Sequence, residues 1–148
     1  MFEKYFKQRK LNKAFSQGWD LMPNTYDVDS DLYSEWKKGK EYRENSVKYD
    51  KEHIYNNLLK FKVIDRDVFD KSVTKLGTRL DALKQLLYLM IEYKDRGYTS
   101  REIQIGAPLY MPDYDSEVNF LNEFGITVKK VRHGFGAYTR SCLDISWK

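Results

Sequence analysis

Five apolar side chains, Leu76, Leu80, Leu83, Leu87 and Met90, recur at alternating steps of four and three residues. That spacing gathers them on one face of an α-helix; a strand would divide them between two faces. A chain with such a stripe must build its core around it. A central helix is therefore predicted, with Thr78 as N-cap, Asp81 three residues on, and Gly97 as the stop after Arg96. The 148 residues suffice for one ordinary domain or for two small units sharing a core. With 41% apolar and 16% aromatic residues, the chain has too much core material to be disordered.

Upstream, KLNKAFSQGWDLMP predicts a short helix with Leu11, Ala14 and Phe15 on one side, interrupted at Gly18 and closed before Pro23. Ser30 can cap a second helix that buries Leu32, Tyr33 and Trp36, and Asp31 and Glu35 suit its N-terminal dipole. These two form an antiparallel helical hairpin. Ile54, Leu58 and Phe61 predict a third helix between about Asp50 and Lys62, and VIDRDVFDKSVTKLG reads equally as loop, strand or helical turn.

Downstream of the stripe, Thr99-Ser-Arg-Glu102 has the capping-box form, so a helix is expected to about Gly106. Pro108 and Pro112 keep the next stretch irregular. A helix from about Tyr114 to Phe124 has Tyr114, Val118, Leu121 and Phe124 inward and stops at Gly125. ITVKKVR and AYTRSCLDISW then alternate as two strands joined by HGFG, whose glycines permit a tight turn. The predicted class is α+β, mainly α: an N-terminal helical region, 1–66, and a C-terminal region, 67–148, closed by a β-hairpin, as two domains or around one shared core.

Net charge is +4 and the pI about 9.0, a surplus too mild to imply nucleic acid by itself. Its distribution is more informative. Lys4, Lys7, Arg9, Lys10 and Lys13 oppose only Glu3, and Lys129, Lys130, Arg132, Arg140 and Lys148 oppose only Asp144, which leaves the middle of the chain net acidic. Cys142 has no cysteine to pair with, and with His53 and His133 it is a poor supply of soft metal ligands, so neither a disulfide nor a metal site is expected. No Ser-His-Asp or Cys-His set and no phosphate-binding loop appears, and carboxylate pairs such as Asp65 with Asp67 and Asp113 with Asp115 suit caps and turns. The expectation is a non-enzymatic protein without cofactor. No apolar run spans a bilayer, and MFEKYFKQRK is too charged for a signal-peptide core, so a cytoplasmic location away from membranes is expected.

The order of elements between about Leu80 and Trp147 resembles a winged helix-turn-helix, with Ile103, Leu109, Val118 and Leu121 where that family clamps its helices and Gly125-Ile126 at the entry to the wing. The resemblance implies a nucleic-acid-binding regulator, with DNA favoured over RNA. In its reading helix the outward positions are Asp113, Asp115, Glu117, Asn119, Asn122 and Glu123. Asn119 and Asn122 suit adenine, but the carboxylates oppose entry into a groove lined by phosphates. The wing offers Lys129, Lys130, Arg132, His133 and Arg140 with Phe135 and Tyr138 at its tip, a mixture suited to backbone or minor-groove contact. An edge hairpin kept soluble by its lysines would have the same composition.

Residues from about Lys10 to Glu44, through Ala14, Gly18, Trp19, Pro23, Trp36 and Gly39, resemble ribosome modulation factor and related small phage and bacterial proteins. That resemblance implies RNA contact through Lys10, Lys13, Lys37, Lys38, Lys40 and Arg43. The competing interpretation is packing, in which both tryptophans seal the hairpin and the glycines let the helices approach closely. Three functional expectations follow: a nucleic-acid-binding regulator of phage or mobile-element type; a module or inhibitor that docks on a host protein through Tyr114, Asp115, Glu117, Phe120 and Glu123; and a ribosome-associated factor.

Overall fold

A computed structural model of the chain describes residues 2–106, 114–136 and 139–148. Pro108, Leu109, Pro112, Asp113 and Tyr138 lie outside the described residues. The fold is α+β and mainly helical, as expected: α1 (Phe2–Trp19), α2 (Asp31–Leu58), α3 (Arg66–Thr74), α4 (Asp81–Asp95), β1 (Ser100–Gly106), α5 (Asp115–Glu123), β2 (Thr127–His133) and β3 (Arg140–Ser146). It divides into two compact units, Met1–Asp50 and Lys51–Lys148.

In the first unit α1 and α2 cross at two glycines. A Cβ on Gly18 would lie 1.9 Å from the Trp36 carbonyl oxygen, and one on Gly39 would lie 2.1 Å from that of Phe15. Only glycine allows backbones this close. Ala14 and Trp36 are buried beside the crossing, and the Trp36 indole N–H donates to the Met22 carbonyl at 3.0 Å. Ser30 Oγ accepts from the Tyr33 N–H, as an N-cap should. Helix α1 extends to Phe2, well beyond the short helix expected.

The separate helix expected over 50–62 is instead the continuation of α2. Between Glu44 and Lys51 there is no glycine or proline to stop it, so one helix runs on. This also moves the division between units ahead of residue 66, because Ile54 and Leu58 are buried and Tyr55 packs on Phe69 at 5.1 Å. The ambiguous segment becomes α3, capped by Asp65, whose carboxylate accepts from the N–H groups of Asp67 and Val68.

Helix α4 buries Leu83, Leu86, Leu87 and Met90, with Leu80 buried just before it. It starts at Asp81 with Leu80 at the cap position and no side-chain cap bond, so Thr78 is not its N-cap. Gly97 ends the turn after it with φ +93. Phe69 is fully buried and meets Phe120 and Phe124 at 6.1 and 6.4 Å.

The helix expected over Thr99–Gly106 is strand β1. Ile103 and Ile105 alternate with Glu102 and Gln104, a period of two in β-branched residues, and the tertiary pairing overrides the local capping signal. The Thr99 carbonyl accepts from Trp147 N–H, and Glu102 turns to His133 instead of reaching back to a cap. β1 and β2 both pair antiparallel with β3 in the order β1-β3-β2. Ile103 faces Leu143 and Val128 faces Ile145 in register, and all four are buried on the inner face. Among the described residues no helix is long and apolar enough to cross a membrane.

Candidate functional site

The β2–β3 hairpin carries most of the C-terminal cations because its register spaces them along both strands. Lys129, Lys130, Arg132 and Arg140 are exposed and His133 is half-buried. Gly134 and Gly136 adopt φ +95 and +57, which lets the chain turn at the tip and leaves Phe135 91% exposed. Arg140 stands opposite His133 in the last pair of the ladder and shares its face with Lys129, whereas Arg132, opposite the buried Ser141, projects to the other face. Lys130 is spent internally on Asp115 of α5. Among the described residues no carboxylate comes within ion-pair distance of Lys129 or Arg132.

Helix α5 has a different relation to solvent from the one expected. Phe120 is 2% exposed and belongs to the core, so it cannot serve as a docking residue; the i, i+4 spacing places it with Phe124 against Phe69. Asn122 Oδ1 accepts from the Val128 N–H at 3.0 Å, which fixes the start of β2. Glu123 accepts from Ser72 Oγ at 2.5 Å and pairs with Lys75 at 3.3 Å. The Ser72 hydroxyl first, and then Lys75, holds this carboxylate below its usual range. Asn119 is exposed, and with Ser72, Lys75, Phe120 and Glu123 it lines a shallow cavity of about 170 Å³. Tyr114 and Glu117 are half-buried.

On the open face of the sheet, Glu102, His133 and Cys142 come together from three different strands. His133 Nε2 lies 2.5 Å from Glu102 Oε1. The buried Cys142 thiol hydrogen-bonds to Glu102, which lowers the carboxyl's pKa first through that bond and then through His133. Burial, followed by the adjacent Glu102, pushes the thiol's own pKa up. The sequence did not bring these residues together because Glu102 was expected on a helix. The alternation of the two hairpin strands already placed His133 and Cys142 on one face.

In the N-terminal unit Lys10, Lys13, Lys37 and Lys38 are exposed, with Lys38 paired to Glu35 at 3.1 Å. Lys40 lies over the Trp36 ring at 5.4 Å and Arg43 over Trp19 at 5.0 Å. The Gly and Trp positions form the helix crossing itself, as the packing interpretation required. Comparison of the chain with family models, curated proteins and solved structures finds no match.

Proposed function

We propose that the protein is a non-enzymatic nucleic-acid-binding regulator that uses the β2–β3 hairpin as a wing. The observation that carries this is the tip: Phe135 stands almost wholly in water, the strands that lead to it end in Arg132 and Arg140 on opposite faces, and Lys129 follows further along β2. An exposed aromatic backed by cations suits insertion against bases while the cations meet phosphate. The order α4, α5, hairpin supports a winged-helix arrangement, although β1 replaces the second helix on which the resemblance relied. Because Asn122 and Glu123 are held by their own fold, the proposal assigns contact to the wing and not to α5.

The test is a titration of the purified protein with duplex DNA, single-stranded DNA and structured RNA at several salt concentrations. The expected result is binding that weakens with salt, preferring duplex DNA, and weakened on every sequence by Lys129→Ala with Arg132→Ala. Flat titrations at low salt refute the proposal. A preference for structured RNA lost in Lys10→Ala with Lys13→Ala would transfer the interface to α1. Docking on a protein through α5 has less support, since Phe120 is buried and Asp115 and Glu123 are paired within the chain.

A further inference from the structure

We propose that Glu102, His133 and Cys142 form a Zn²⁺ site across the open face of the sheet. One imidazole nitrogen, one carboxylate oxygen and one sulfur all lie within 4.8 Å of one another. Zinc bonds of about 2.0–2.3 Å at tetrahedral angles set donor atoms about 3.3–3.5 Å apart. The His133–Glu102 separation of 2.5 Å and the 4.8 Å limit of the set bracket that value, so small side-chain rotations suffice.

The backbone already supplies the geometry. Cys142 occupies the central strand, between Arg140 and Asp144 on the same face. Glu102 on β1 stands opposite Asp144, and His133 on β2 stands opposite Arg140, so each leans diagonally over Cys142 from its own flank. One ligand therefore comes from every strand of the sheet, and none from a loop. A nitrogen, oxygen and sulfur set suits zinc, a borderline-soft cation, better than magnesium or calcium, which prefer oxygen.

Three protein ligands leave a fourth position, which on an open sheet face is supplied by water or an external ligand. Binding forms Zn–S, Zn–N and Zn–O bonds as the hydrated ion sheds water, breaks the Cys142–Glu102 and His133–Glu102 hydrogen bonds, leaves the imidazole proton on Nδ1 and releases the thiol proton to solvent. The bound ion then ties β1, β3 and β2 together and stiffens the hairpin at the end nearest its turn. This inference is independent of nucleic-acid binding.

The experiment uses the full chain stripped of metal with a chelator, titrated calorimetrically with zinc chloride and spectroscopically with Co²⁺. The expected result is one ion per chain, a near-ultraviolet thiolate-to-cobalt band, and a higher melting temperature with zinc. Cys142→Ser should abolish the band, and His133→Gln and Glu102→Gln should each weaken binding by more than about 10-fold, since even outer-sphere partners of a metal contribute that much. His53→Gln, which alters a histidine outside the cluster, should change nothing. Circular dichroism of each metal-free variant establishes that it is folded. Absence of zinc binding by the folded wild-type chain overturns the proposal, as does binding that survives Cys142→Ser and His133→Gln or is lost only in His53→Gln.

Discussion

Gly18→Ala should loosen the α1–α2 hairpin by about 2 kcal/mol. The added Cβ would lie 1.9 Å from the Trp36 carbonyl oxygen, 2.8 Å from the Lys40 nitrogen and 2.9 Å from the Trp36 carbonyl carbon. All three are backbone atoms, so no rotamer change relieves them. With ordinary contact distances near 3.5 Å, the helices must separate by roughly 1.5 Å. Overpacking of this kind costs about 1–3 kcal/mol, and a rigid obstacle puts the value at the top of that range. Separation would also weaken the Trp36 bond to Met22. Alanine's better helix propensity returns about 1 kcal/mol, which leaves about 2 kcal/mol net. Gly39→Ala, which meets the Phe15 carbonyl at 2.1 Å, should behave alike. Hydrogen exchange resolved by segment is the assay, because Trp147 confuses whole-chain fluorescence. Protection in α1 and in the first turns of α2 should fall by about 30-fold, the equivalent of about 2 kcal/mol. Protection that is unchanged, or increased as at a solvent-facing helical glycine, would refute the close crossing.

Three further outcomes are expected. Asn122→Ala removes the acceptor of the Val128 N–H and should lower stability by about 1–2 kcal/mol in denaturant titration without changing nucleic-acid affinity; an affinity loss in the folded variant would restore Asn122 as a reader. Glu123 is depressed in the folded state, so its stabilisation is present above its unfolded pKa and is lost as pH falls through the folded value. Ser72→Ala should raise its titration midpoint in carboxyl NMR, and an unchanged midpoint refutes the assignment. The buried Cys142 thiol, with its raised pKa, should resist iodoacetamide at neutral pH in the metal-free native protein and react once unfolded, whereas rapid native alkylation would contradict its burial.

The sequence was most legible where one local signal agreed with tertiary packing. The Leu83, Leu87 and Met90 stripe became α4, Ser30 capped α2, Gly97 ended a turn, and the alternating C-terminal segments paired as a hairpin. It misled where a local signal competed with a distant partner. Thr99 and Glu102 spell a helix start, but β3 offers the same residues a full ladder of hydrogen bonds, and Ile103 gains burial against Leu143 only as a strand. Phe120 was misassigned for a related reason. On a nine-residue helix the apolar stripe admits two rotations, and only the position of Phe69, contributed by an element of uncertain type in the sequence, selects the one that buries Phe120. The cation-bearing hairpin was readable because the alternation of its two strands and the glycines of its turn agree with the pairing of β2 and β3. The Glu102–His133–Cys142 group needed β1 as well, and β1 was the element the capping signal concealed.

The acidity of α5 first argued against nucleic acid, but its contacts change the weight of that argument. Asp115 neutralises Lys130 on the neighbouring strand, and Glu123 neutralises Lys75 while accepting from Ser72, so these carboxylates act as internal counter-ions that fix the helix against β2 and α3. The same pairing withdraws Lys130 from any external anion. The hairpin is left with Lys129, Arg132 and Arg140, and under the proposed function three phosphate contacts would release counterions with a slope of about −2 to −3 in log affinity against log salt. Binding through this wing alone is therefore expected to be moderate and only moderately salt-sensitive. A slope near −5 would require more cations than the hairpin presents, and the exposed Lys10 and Lys13 of α1 are the nearest in kind to supply them. Measuring the slope before and after Lys10→Ala with Lys13→Ala thus counts how many of the chain's two basic ends take part: a wing-only interface keeps its slope, and a two-ended one loses about 2.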